Sequence, residues 1–151
     1  MRGVSVEQVW PGPAPENLTA WTLVQASHVV ARRFRAAFGR LGLSPTQFGV
    51  LLELDLHPGL SNGEVARAVL VTPQSMSDLL ASLARLGYIE RDDSAGQGHR
   101  VPARLTPAGR EMLHQCAAEV AGVEKSLGLT REQAGQLNTL LRIVTSSDRQ
   151  V

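Results

Sequence analysis

Apolar residues recur along most of the chain with the three-to-four-residue spacing of an amphipathic helix. Leu18, Trp21, Val24, Val29 and Val30, then Phe34, Ala37, Phe38 and Leu41, form the first stripe, with Asn17 before it and Gly39 and Gly42 at its end. Ser44-Pro45-Thr46-Gln47 opens a second helix as a capping box, with proline at the first helical position, where its missing N–H is no loss. Phe48, Val50, Leu51, Leu52 and Leu54 follow, and His57-Pro58-Gly59 ends the run. Ser61-Asn62-Gly63-Glu64 is a second capping box, leading into a short helix with Val65, Ala66 and Val69. Thr72-Pro73 starts the next, with Met76, Leu79, Leu80, Leu83 and Leu86 on one face and Gly87 as its stop.

The period then changes. Residues 88–91 and 100–105 predict two short strands, joined by the polar, glycine-bearing loop 92–99, and therefore a hairpin. Pro102 belongs at an edge or a bulge, since it cannot donate to a ladder. Thr106-Pro107 begins a helix carrying Met112, Leu113, Cys116, Val120, Val123 and Leu127 as far as Gly128. A third capping box, Thr130-Arg131-Glu132-Gln133, opens the last helix, with Leu137, Leu140, Leu141 and Val144. Residues 1–16 read as an extended N-terminal arm, because Trp10-Pro11-Gly12-Pro13-Ala14-Pro15 cannot continue a helix.

The order helix, helix, short helix, helix, hairpin, helix, helix predicts a mostly α (α+β) fold: a winged helix-turn-helix with flanking dimerisation helices. The short helix and the capped helix after the turn at Leu70-Val71 make the helix-turn-helix, and the hairpin directly behind them makes the wing. The DNA-binding domain is expected at 44–105 and the dimerisation helices at 17–43 and 106–151. Residues 72–86 form the expected recognition helix. Its apolar face faces the core, and its other face offers Gln74, Ser75, Ser77, Asp78 and Ser82, with Arg85 near the end. Glutamine suits bidentate reading of adenine and serine a base or a phosphate. The N–H groups at the helix start, next to Thr72, favour a phosphate.

Composition narrows the alternatives. A net charge of +1 lends little support to nucleic-acid binding by itself, although every basic residue except Lys125 is an arginine, the side chain suited to bidentate phosphate or guanine contact. The single cysteine allows no intrachain disulfide and fits a reducing compartment. With no apolar run of about 18 residues and no signal-peptide core in the arm, the expected location is the cytoplasm. No glycine-rich phosphate loop or Gly-x-Ser-x-Gly elbow is present, and Glu53 and Asp55 fall on different sides of a helix, so an enzyme is not expected. His28, His57, His99 and His114 are too scattered for a structural metal site, and no cofactor is expected. Cys116 lies among Met112, Leu113 and Val120 and reads as a small buried hydrophobe.

Four segments resemble the MarR family, the multiple antibiotic resistance regulators. Leu43-Ser44-Pro45-Thr46-Gln47-Phe48-Gly49-Val50-Leu51 resembles the start of that family's second helix, and Val71-Thr72-Pro73-Gln74-Ser75-Met76-Ser77 its recognition helix. Leu86-Gly87-Tyr88-Ile89-Glu90-Arg91 resembles the approach to the wing, and Arg104-Leu105-Thr106-Pro107-Ala108-Gly109 its exit. The resemblance spans residues 18–146. It implies a homodimeric, ligand-responsive repressor that joins through its first and last helices. The operator would be double-stranded DNA, a pseudo-palindrome with half-sites about one helical turn (~10 bp) apart. It implies wing contacts to the DNA backbone or minor groove from Arg100, with Arg91 and Arg104 beside it and His99 assisting when protonated. It also implies a small aromatic or phenolic ligand between the dimer helices and the winged domain, which by position would meet Trp21, His28, Phe48 and His57. Some relatives sense oxidants through cysteine, which would give Cys116 a second reading.

Two departures from the family pattern stand out. Asp78 occupies a position where many members carry a basic residue, and the wing tip Gly96-Gln97-Gly98-His99-Arg100 lacks the usual acidic-arginine-arginine sequence. Both predict weaker or more salt-sensitive DNA binding. They also keep open an alternative, a winged-helix protein-interaction module without specific DNA binding.

Overall fold

Serine or threonine followed by proline sets the start of three of the six helices, and each cap is made as its sequence requires. The computed structural model describes residues 10–91 and 103–148. Helix α1 spans Thr19–Gly39, α2 Pro45–Leu56, α3 Asn62–Ala68, α4 Pro73–Arg85, α5 Pro107–Ser126 and α6 Arg131–Asp148. At α2 the Ser44 hydroxyl accepts from the Gln47 N–H (3.1 Å), and the Gln47 side chain accepts from the Ser44 N–H (2.8 Å). Ser61 with Glu64 closes the same reciprocal box at α3, and Thr130 with Gln133 at α6. Thr72 and Thr106 cap α4 and α5. Such a cap is worth about 1 kcal/mol, so the sequence fixes these starts locally before any packing is counted.

One start differs from expectation. Asn17 does not cap α1; it closes a single 3-10 turn, Pro15–Asn17, by donating its N–H to the Ala14 carbonyl (2.8 Å), and α1 begins behind Leu18. The proline-rich stretch therefore ends in a turn and not in an extended lead-in, because Pro15 presets the φ that the turn needs.

Strands β1 (Ile89–Arg91) and β2 (Ala103–Leu105) pair antiparallel, with Ile89 opposite Leu105, Glu90 opposite Arg104 and Arg91 opposite Ala103. The first strand is shorter than the sequence suggests, since Tyr88 stands outside β1; residues 100–102 of the expected second strand, together with the loop before them, lie outside the described residues. Ile89, Ala103 and Leu105 point into the core, Glu90 and Arg104 point out, and Arg91, opposite Ala103, shares the inner face but is exposed.

One apolar core joins every element except α6. Phe38 of α1, Val50, Leu51 and Leu54 of α2, Val65 and Ala66 of α3, Met76, Leu80 and Leu83 of α4, and Cys116 of α5 meet the inner face of the hairpin there. Each large side chain so buried contributes about 1.5–3 kcal/mol. Phe38 stacks on Phe34 (5.3 Å between centroids) and tilts against Phe48 (4.7 Å), which ties α1 to α2. Arg33 donates to the Ser126 carbonyl (2.9 Å) and Arg40 pairs with Glu119, which ties α1 to α5. Among its described side chains helix α6 contributes no buried residue: Leu137, Leu140 and Val144 stand exposed on it, and Trp21 and Val24 stand exposed on α1.

The recognition unit is joined to α5 by a tight backbone crossing. The Thr106 N–H donates to the Tyr88 carbonyl (3.0 Å), and the Thr106 hydroxyl donates to the Gly87 carbonyl (2.6 Å) while accepting from the Gly109 N–H (3.0 Å). Gly109 is buried against this crossing, and a Cβ there would sit 2.1 Å from the Tyr88 carbonyl oxygen. Backbone cannot yield as a side chain can. Gly109→Ala is therefore expected to destabilise the fold by about 1–3 kcal/mol, the range of overpacked cores, read as a lower urea midpoint with an unchanged slope.

Candidate nucleic-acid interface

Helix α4 is positioned by three side chains on one stripe. Met76, Leu80 and Leu83, spaced four and three residues apart, are buried, so the opposite side of the helix must face solvent. Gln74, Ser75, Ser77 and Asp78 lie exposed there, with Thr72 at the cap and Arg85 in the last turn. The turn before α4 holds Leu70 at φ 58°, a left-handed conformation that costs a leucine about 1–2 kcal/mol and that brings α4 sharply round from α3.

The exposed polar groups are ordered differently along the helix. The Thr72 hydroxyl accepts from the Ser75 N–H (3.2 Å) and donates to the Ser75 hydroxyl (3.0 Å), which leaves the Ser75 proton available outward. The Ser77 hydroxyl donates back to the Pro73 carbonyl (3.3 Å) and keeps only its acceptor capacity. Gln74 spends neither end of its amide on a neighbour among the described residues, which is what bidentate reading of a base edge needs. Asp78 adds a carboxylate one turn further along, able to accept from cytosine N4 and repelled by phosphate.

Ser82 lies on the same side of the helix, one turn beyond Asp78, but it is not free there. It is half-buried, and its hydroxyl accepts from the Gln47 side-chain amide of α2 at 2.8 Å. The helical wheel places position 82 between Ser75 and Asp78, so periodicity alone makes it part of the reading face. What the sequence hid is that the capping glutamine of another helix reaches it.

Of the wing residues, Arg104 is exposed on the outer face of the hairpin, Arg91 is exposed on the other face, and His99 and Arg100 lie outside the described residues. Behind the hairpin, Leu54 and Asp55 of α2, Glu90, Arg104 and Arg110 surround an open cleft of about 590 Å³. Arg110, one turn into α5, was not picked out from the sequence; its place behind Thr106-Pro107 was the available signal.

The four expected ligand residues are not gathered into one cavity. Trp21 and His28 are exposed along α1, and His57 is exposed at the end of α2, with its Nε2 3.8 Å from Glu53. Phe48 is spent on packing against Phe38. None of them lines the wing cleft or a second, mostly apolar cleft of about 550 Å³ between α1 and α6, bordered by Leu23, Val30, Leu127, Leu137, Leu141 and Val144.

Cys116 is fully buried in the core. Burial, and secondarily the nearby Glu119 carboxylate, push its thiol above the ordinary value. A raised thiol holds less thiolate at neutral pH, and thiolate is the reactive form. Native protein is expected to react with a thiol-specific disulfide reagent many-fold more slowly than urea-unfolded protein, and fast labelling of the native form would contradict this placement.

A helix-turn-helix with an exposed second helix, followed at once by a two-stranded hairpin, defines a winged helix-turn-helix DNA-binding protein. The sequence model of the MarR family matches residues 41–99. The HTH-type transcriptional repressor Rv2887 of Mycobacterium tuberculosis is 32% identical over 133 residues, which cover 88% of this chain and 95% of the repressor. The chain belongs to the MarR family of transcriptional regulators. Two crystal structures of Rv2887 resemble it along almost their whole length. The complex with DNA is 30% identical with a TM-score of 0.70 and covers 87% of this chain and 98% of its own. The complex with salicylic acid is 31% identical with a TM-score of 0.69 and covers 89% and 99%. A probable transcriptional regulator from Pseudomonas aeruginosa shares the fold, with 24% identity, a TM-score of 0.73 and coverage of 85% and 98%. No helix among the described residues is long and apolar enough to cross a membrane.

Proposed function

We propose that this chain is a cytoplasmic, homodimeric, ligand-responsive repressor that works by binding DNA and not as an enzyme. The observation that carries the reading is the division of α4 into a buried apolar stripe and an exposed row, Gln74, Ser75, Ser77 and Asp78, that no other part of the described chain covers. Residues 44–105 form the DNA-binding domain, and residues 1–16 precede it as an arm. The α4 row enters the major groove, and Thr72 presents the helix N-terminus to a phosphate. Arg91 and Arg104, with His99 and Arg100 of the wing, hold the backbone or minor groove.

The helices in 17–43 and 106–151 supply the dimer. The exposed Leu137, Leu140 and Val144 of α6 and Trp21 and Val24 of α1 are covered by a second copy, and the two-fold axis sets the spacing of the half-sites. Sedimentation is expected to give twice the 16.2 kDa of the chain, and a protein that stays at one chain's mass when concentrated would count against this arrangement.

The ligand is a small aromatic acid, by likeness to the salicylate-bound relative, and it acts by preferring one separation of the two recognition helices. Fluorescence anisotropy with the DNA upstream of the chain's own gene, at about 150 mM salt with excess competitor, tests both halves. Gln74→Ala is expected to cost about 10- to 100-fold and to relax selectivity at one base pair. Arg104→Ala is expected to weaken all sequences alike and to lower the salt slope by about one. Salicylate is expected to release the bound DNA. Binding that competitor removes completely would contradict the DNA reading, and unchanged binding at saturating salicylate would contradict the ligand class.

A further inference from the structure

We infer that Gln47 is a positioning residue for DNA reading: through its bond to Ser82 it fixes the rotation of α4 relative to α2. The inference rests on the DNA-binding reading and deepens it. The Gln47 amide is committed at both ends. Its oxygen accepts from the Ser44 N–H (2.8 Å) to complete the α2 cap, and its nitrogen donates to the Ser82 hydroxyl (2.8 Å). Turning the amide over would set its nitrogen against the Ser44 N–H and break the cap, so the cap that starts α2 also aims a donor at α4.

The amide suits that double duty. A carboxylate satisfies a capping box equally well, as Glu64 does for α3. The amide brings its own donor to the second helix, whereas a carboxylate could only accept the Ser82 hydroxyl proton. The other holds on α4 are the apolar contact of Met76, Leu80 and Leu83, where the hydrophobic effect has no direction of its own, and the hydrogen bonds at the turn beyond its C-terminal end, where Thr106 meets Gly87. A hydrogen bond weakens steeply with misalignment, so it restrains rotation and sliding where apolar contact restrains mainly distance. Ser82 lies eight residues beyond Gln74, about 12 Å along the axis. A small rotation at the tether therefore moves the Gln74 amide out of the plane of the base it reads. Phosphate contact, which is long-ranged and undirected, tolerates the same rotation.

The test uses the full-length protein and a duplex that the wild type selects from a random pool, with a scrambled duplex as reference. Ser82→Ala leaves the α2 cap untouched. It is expected to lower the ratio of selected to scrambled affinity by about 3- to 10-fold, the range that one neutral hydrogen bond supplies, with the scrambled affinity unchanged. Gln47→Ala is expected to lower the ratio similarly, and the double variant no further than the larger single effect. Ser82→Thr, which keeps the hydroxyl, is expected to restore the ratio. An unchanged ratio in a folded Ser82→Ala variant overturns the inference. So do losses that add in the double variant, because Ser82 and Gln47 would then act independently on the DNA. A wild type that enriches no sequence overturns the DNA reading and this inference together, whereas the other failures leave the DNA reading standing.

Discussion

The burial of Met76, Leu80 and Leu83 is the constraint on which the rest of the molecule depends. These three side chains decide which side of α4 is outside, and every functional statement about the helix is a statement about that side. The surrounding structure serves the same contact. Phe38, Leu51 and Val65 build the seat from three other helices, and Ile89 and Leu105 close it from the hairpin. The Thr106 and Gly109 crossing then fixes the hairpin and α5 to the turn that ends α4. A core with no polar group among its buried residues can hold a helix firmly, and the polar bonds around its rim settle the orientation.

The fold was largely legible in the sequence because its punctuation is local. Each serine or threonine cap and its partner three residues on state a helix start in physical terms that packing cannot easily override, and all three capping boxes are made as written. The start that misled, Asn17, has the right residue type but follows Pro15, whose fixed φ favours a turn one step earlier. The first strand begins one residue later than expected because the Tyr88 N–H is spent on the Leu83 carbonyl at the end of α4. The site was less legible. Gln74, Ser75, Ser77 and Asp78 fell on the exposed side because they avoid the apolar stripe, and Ser82 avoids it too, but periodicity carries no information about the long-range partner that half-buries it. The aromatic Phe48 was ambiguous for a related reason: a core ring and a ligand-stacking ring look alike until the neighbouring ring, Phe38, is known.

Asp78 and the sparse wing acquire a coherent sense from the electrostatics of the whole chain. A net charge of +1 supplies little undirected attraction to a polyanion. On the proposed reading, a protein built this way would lean on the shape and hydrogen bonding of α4 more than on counterion release, the balance that a rigidly held recognition helix makes possible. The carboxylate at position 78 sharpens the same bias, since it penalises any register in which it faces a phosphate.

Helix α6 has a consequence for how much protein is folded at all. A helix of 18 residues with no buried side chain among its described ones draws little of its stability from its own protomer. In the proposed dimer the remainder is supplied on association, so folding and dimerisation would be linked by mass action. The thermal midpoint then rises with protein concentration, and the pool of DNA-competent molecules grows faster than the amount of chain synthesised. A regulator with this construction has a threshold in its own abundance, set by the apolar residues of its last helix and independent of any ligand.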